Sequence, residues 1–164
     1  MKKLNRNDTL LFAIGNSGRQ DDGLGWAFAE AVEQAGFFKG NIHYRYQLQV
    51  EDAELVSQAG CVIFVDAFKG ELPGGFDWRP CDPAPEFHFS THAISPESIL
   101  FLSENLFEKT PEAHYLLMQG EAWELEIGLT EAARKRLERA LDFFIETLKI
   151  NDGFVIPGRE PATS

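Results

Sequence analysis

The chain has 164 residues, 44% apolar and 25% charged, with 15 basic against 26 acidic side chains and a formal net charge of -11. At this length folding removes about 68–70% of the unfolded chain's accessible surface, so one compact domain is expected, and neither a disordered segment nor a repeat array fits. The acidic balance disfavours nucleic acid, whose phosphates are gripped by lysine and arginine, and no segment approaches the roughly 20 apolar residues of a membrane span.

Thr9 to Ile14 is a nearly continuous apolar run halted at Gly15-Asn16, which predicts a buried first strand and a turn. After Met1-Lys2-Lys3 this run is too short for a signal core, and the only two cysteines, Cys61 and Cys81, form no CxxC pair. A reducing cytoplasm is therefore expected. Leu24, Phe28, Ala31, Val32 and Ala35 share a helical face with Gly36 as a stop. Ile42, Tyr44, Tyr46, Leu48 and Val50 alternate with polar residues, as in a strand toward a sheet edge. A short helix over Glu51 to Gln58 precedes Cys61 to Val65, the expected central strand, which ends at Asp66.

Gly70 to Phe89 is rich in proline and glycine and reads as loop with at most a short edge strand. Ser95-Pro96-Glu97 opens a helix to about Phe107, with serine as N-cap and proline in the first position. Tyr115 to Met118 supplies another strand, and a helix from the N-cap candidate Thr130 to about Lys149 carries Leu137, Leu141, Phe144 and Leu148 on one stripe. Alternating strands and helices imply an open, mostly parallel α/β sheet covered on both faces. The domain is expected over residues 1–150, with an aperiodic tail at 151–164.

In such sheets ligands collect beyond the carboxyl ends of the strands, where the strand order reverses. Asp21 and Asp22 in the first turn and Asp66 after the central strand belong there by position, and His92 lies in a loop able to reach the same edge. Two carboxylates and an imidazole suit a borderline divalent ion such as nickel or zinc. Plainer roles compete. Asp21 or Asp22 could cap the first helix, or the two could divide the roles of cap and free ligand. Asp66 could accept bonds from a neighbouring turn, and His92 could be polar surface while His43, His88 or His114 serves instead. Phe37, Phe38, Trp78, Phe87 and Phe89 read better as anchors for loops than as a substrate groove. No phosphate-binding glycine motif, G-x-S-x-G elbow or HExxH is present.

Phe12-Ala13-Ile14-Gly15-Asn16, then Asp21-Asp22-Gly23-Leu24-Gly25, Val65-Asp66-Ala67 and Ser90-Thr91-His92 together resemble the hydrogenase maturation protease family. A weaker echo follows in Glu126-Ile127-Gly128-Leu129-Thr130. The resemblance implies a single three-layer α/β domain, phosphorylase/hydrolase-like, and an aspartyl-type endopeptidase activity that trims the precursor large subunit of a nickel-iron hydrogenase. It places the metal-contacting and catalytic set on Asp22, Asp66 and His92. The nickel would be carried by the substrate, with zinc or cadmium as a surrogate in the same place.

Two positions depart from the family pattern: Ala13 stands where glycine is usual, and Asp22 where the acid can be glutamate. The Pro73 to Pro85 region matches nothing in the family. A noncatalytic module that docks on a nickel-bearing partner is the alternative from another class. A peptidyl-tRNA hydrolase would need a histidine soon after the first turn and a basic face, and both are missing. Oligomeric state is not readable from the sequence.

Overall fold

The structure, a computed structural model, describes residues 4–87 and 93–152, with side chains described as far as residue 149. Five strands, β1 (Thr9–Ile14), β2 (Asn41–Arg45), β3 (Cys61–Lys69), β4 (Phe76–Pro80) and β5 (Glu112–Gly120), form one sheet in the order β2-β1-β3-β5-β4. All neighbours run parallel except β4, which lies antiparallel on the β5 edge. Four helices accompany them: α1 (Leu24–Ala35), α2 (Asp52–Gln58), α3 (Pro96–Phe107) and α4 (Glu131–Asp152).

Because side chains alternate across a strand, β1 feeds two cores. Leu11 and Ala13 meet Leu24, Phe28 and Val32 of α1 and Ala140, Phe144 and Leu148 of α4. Leu10, Phe12 and Ile14 meet Val56 of α2 and Ile99 and Leu100 of α3 on the other face. The result is the expected three-layer α/β domain. Double-sided burial explains why β1 and the first half of β3 read as unbroken apolar runs.

Several boundaries differ from the sequence expectation, for identifiable reasons; β5 covers Glu112–Gly120 rather than 115–118 because it pairs with β3 along its whole length. The strand expected over 42–50 ends at Arg45, because β1 stops at Ile14 and the Gly15 N–H takes the Arg45 carbonyl (2.9 Å), leaving nothing beyond to pair with. Tyr46 and Val50 are accordingly exposed. β3 does not end at Asp66 but continues to Lys69, supported on one side by β5 from Asp66↔Leu117 to Lys69↔Gly120. Its pairing with β1 stops at Ala13↔Val65. The apolar stripe of α1 ends at Val32, with Ala35 exposed before the left-handed Gly36, and α4 extends to Asp152, two residues past the expected domain limit.

The connections fix where a site belongs. From β1 the chain moves outward to β2, and from β3 it moves the opposite way to β5, so the order reverses between β1 and β3. α1 can start in that notch because Gly25 has no side chain: a Cβ there would stand 2.5 Å from the Ile14 carbonyl oxygen and 2.9 Å from that of Val65.

Candidate active site

Asp66 occupies the first β3 position with no β1 partner, so its carboxyl opens on the space past the end of β1. Gly15 bends the chain there with φ +145°, a conformation that favours glycine, and a Cβ on it would fall 2.1 Å from the Asp22 carbonyl oxygen. The Asn16 N–H donates to that same carbonyl (3.0 Å), closing the turn and carrying Asp22 to the same space. Asp22 and Asp66 thus line one cleft of about 520 Å³ at the topological switch point.

Tyr46, Gln47 and Leu48 form one wall of this cleft, and Ile94, Ser95 and Glu97 form another. The two walls touch through an antiparallel bridge between Leu48 and Ile94. Ser95 also caps α3, accepting from the Ser98 N–H at 3.1 Å.

Electrostatics set this cleft apart. Burial pushes the Asp66 carboxyl up to about 7, and the nearby Asp22 charge adds to the rise against one opposing hydrogen bond from the Ala67 N–H at 2.8 Å. Asp22 is raised as well, by burial, with Arg19 and the Asn16 N–H pulling the other way. Two carboxyls that each resist ionisation in one cleft are matched to acid-base work near neutrality or to a cation that would neutralise both. Their oxygens suit a divalent ion, although no group of three His, Cys, Asp or Glu ligands forms among the described residues.

Asp21, one residue earlier, has a different role from the cap considered for it. α1 has Gly23 at its N-cap with no side-chain bond, so neither aspartate caps it. Asp21 is fully buried and accepts four hydrogen bonds from the far end of the chain: the Glu121 N–H (2.7 Å), the Ala122 N–H (3.1 Å), the Thr130 N–H (2.8 Å) and the Thr130 hydroxyl (2.8 Å). Burial alone would raise it, yet these bonds outweigh burial and hold it below the ordinary carboxylate range. The division with Asp21 as cap and Asp22 free is therefore corrected: Asp21 caps no helix but ties the first turn to Glu121, Ala122 and Thr130, while Asp22 lines the cleft.

His92 and His88 lie outside the described residues, as does Phe89; Ala93 and Ile94, which follow His92 in sequence, line the cleft. Neither described histidine lines it. His114 stacks on Trp78 (4.8 Å between centroids, 7° between planes), and His43 faces a separate pocket with Asp8 and Leu55. Trp78 packs on Phe143 and Phe144, and Phe87 on Phe101, as anchors do. Cys81 is no nucleophile: burial and the neighbouring Glu97 and Asp82 push its thiol up to about 12.

Tyr115 and Arg79 line the cleft without having been singled out in the sequence. Burial, with Asp66 and Glu97 nearby, pushes the Tyr115 hydroxyl above its usual range, so it stays a proton donor. The Arg79 guanidinium sits 5.6 Å from the Tyr115 ring centroid. Strand alternation could have flagged Tyr115, and the alternation Phe76-Asp77-Trp78-Arg79 could have flagged its β4 partner Arg79.

The fold is that of the hydrogenase maturation endopeptidases, as the motif resemblance implies. The chain is similar to the hydrogenase maturating endopeptidase HybD from E. coli, with 20% identity over 88% of this chain and 93% of that one and a TM-score of 0.63. It is similar to the hydrogenase maturation protease HycI from Thermococcus kodakarensis KOD1, with 22% identity, coverage of 87% and 93%, and a TM-score of 0.64. A hydrogenase 3 maturation protease shares 27% identity, with coverage of 81% and 86% and a TM-score of 0.56. No family model matches the sequence, and no curated protein matches it. Among the described residues no helix is long and apolar enough to cross a membrane.

Proposed function

We propose that this protein is an endopeptidase that removes a C-terminal peptide from the nickel-loaded precursor of a nickel-iron hydrogenase large subunit. The observation that carries the reading is the meeting of Asp22 and Asp66 in one carboxyl-rich cleft, at the switch point of a fold shared with proteins named for that maturation step. Peptide hydrolysis needs a base for the water that adds to the carbonyl and an acid for the departing nitrogen. In the metal-free cleft Asp66 is held near 7, a range that suits either role; with a cation bound it would be ionised and act as a ligand.

The same two carboxylates are the proposed contacts for nickel presented by the substrate, with His92 as third contact on sequence grounds. Zinc or cadmium would be accepted in its place, since carboxylate and imidazole donors suit those ions too. Metal docking at this point would orient the scissile bond, and orientation alone can supply a large share of a rate enhancement. The reading includes a cytoplasmic location, where such a precursor would be met before its metal centre closes.

The test is incubation with nickel-loaded and nickel-free precursor, followed by mass measurement of the large subunit's C-terminus. Loss of a C-terminal fragment from the loaded form alone is the expected result. Binding of the loaded form without any loss of mass would make the protein a docking module, and neither binding nor loss would overturn the proposal.

A further inference from the structure

An apolar path leaves the acidic cleft on its β2 side. Tyr46 lines the cleft and is 71% exposed, and its ring lies 5.1 Å from that of Trp26. Trp26 in turn lines a second groove, of about 230 Å³, together with Ala27, Ile127 and Leu129. At its far rim Ile127 is 86% exposed, and Leu125 in the same loop is 79% exposed.

This exposure is built into the loop. The Gln20 N–H donates to the Glu126 carbonyl (2.8 Å), the Gln20 side-chain oxygen accepts from the Glu124 N–H (2.9 Å), and Asp21 accepts from both Thr130 groups. These bonds hold the backbone of the loop in place with both aliphatic side chains in water, and exposed apolar surface beside a groove marks a place that another molecule covers. Trp26 is equally fixed, since its indole N–H donates to the Arg45 carbonyl at 3.1 Å.

Resting on the endopeptidase reading, we propose that the ridge formed by Tyr46, Trp26, Ile127 and Leu125 docks the folded body of the precursor while its C-terminal segment lies in the cleft. Two observations select this occupant. Tyr46 lines the cleft and packs on Trp26, so the ridge is continuous with the wall of the cleft that holds Asp66. The groove is also smaller than the roughly 300–1,000 Å³ of sites that enclose small molecules, and it suits an aliphatic or aromatic side chain projecting from a protein surface. The ridge thus supplies affinity that the carboxylates cannot, because they engage the reacting end of the substrate.

The experiment measures processing of the nickel-loaded precursor by the full chain and by the double variant Leu125→Glu/Ile127→Glu. Leu106→Glu, at a 61% exposed aliphatic on α3, serves as the control. The double variant is expected to raise KM about thirtyfold or more, equivalent to losing one interface hot spot, with kcat within about twofold and an unchanged melting temperature. Leu106→Glu leaves KM within about twofold of the parent. Parental KM in the double variant would overturn the docking role while the endopeptidase reading stands. A parent that dimerises in sedimentation, and is made monomeric by the double variant at unchanged KM, would assign the ridge to a second copy of this chain and overturn it too. A parent that neither binds nor cuts the precursor would remove both readings.

Discussion

Replacing Asp66 with asparagine is expected to stabilise the metal-free protein while it abolishes processing. Burial and Asp22 move the folded-state value from 3.8 to about 7. A folded value above the unfolded one means the native state keeps a proton that the unfolded chain has released. The penalty is therefore absent below pH about 4, grows between about 4 and 7, and is constant above. A rise of about three pH units corresponds to ~4 kcal/mol at about 1.36 kcal/mol per unit, and screening by solvent in the open cleft reduces this to ~2–4 kcal/mol. Asparagine keeps the oxygen that accepts the Ala67 N–H and opens no cavity. For a domain of this size the gain is a rise in melting temperature of roughly 5–15 °C. Thermal melts of parent and variant at pH 4 and pH 8 measure it, with convergence expected at pH 4 and separation at pH 8. Equal melting at both pH values, or a less stable variant at pH 8, would refute the claim that the carboxylate is held in a hostile environment.

Asp21→Asn is expected to cost about 2–4 kcal/mol, because an amide must turn its NH2 toward at least one of four donors and loses the charge behind the rest. Since the folded Asp21 value is lowered, its contribution is present above pH about 4 and lost as pH falls further, so chemical denaturation should show parent and variant converging in acid. Gly25→Ala should cost about 3 kcal/mol or more through collision with the Ile14 and Val65 carbonyls, read as a depressed melting temperature. Added nickel or zinc, at about 100 times its dissociation constant, should stabilise the parent by about 2.7 kcal/mol and leave Asp66→Asn unchanged in the same melts.

Where burial is two-sided, the sequence was explicit. β1 emerged with its exact residues because every side chain from Thr9 to Ile14 is enclosed, and α3 emerged because Ser95 and Pro96 are local signals acting within one turn. β2 was overextended because its alternation continues through Tyr46 and Val50, and only the end of β1, a property of another segment, says where pairing stops. The site was legible in the same proportion. Asp66 was marked by the end of an apolar run, which is where β3 loses its β1 partner, and Asp22 was chosen over Asp21 only through the family resemblance, while the structural role of Asp21 depends on partners about a hundred residues away that no local pattern encodes. The Glu126 to Thr130 echo was the sole trace of that loop, and it proves to hold one of the Asp21 anchors.

The grip of Asp21 on Glu121, Ala122 and Thr130 has a temporal side. During synthesis from the N-terminus, the first turn leaves the ribosome long before its anchors do, and β4 has no neighbour until β5 follows it. The carboxylate pair therefore gains its final setting only once segments about a hundred residues further along have been made. A chain made only as far as β4 holds Asp22 and Asp66 but lacks the β5 and Thr130 contacts that fix their surroundings.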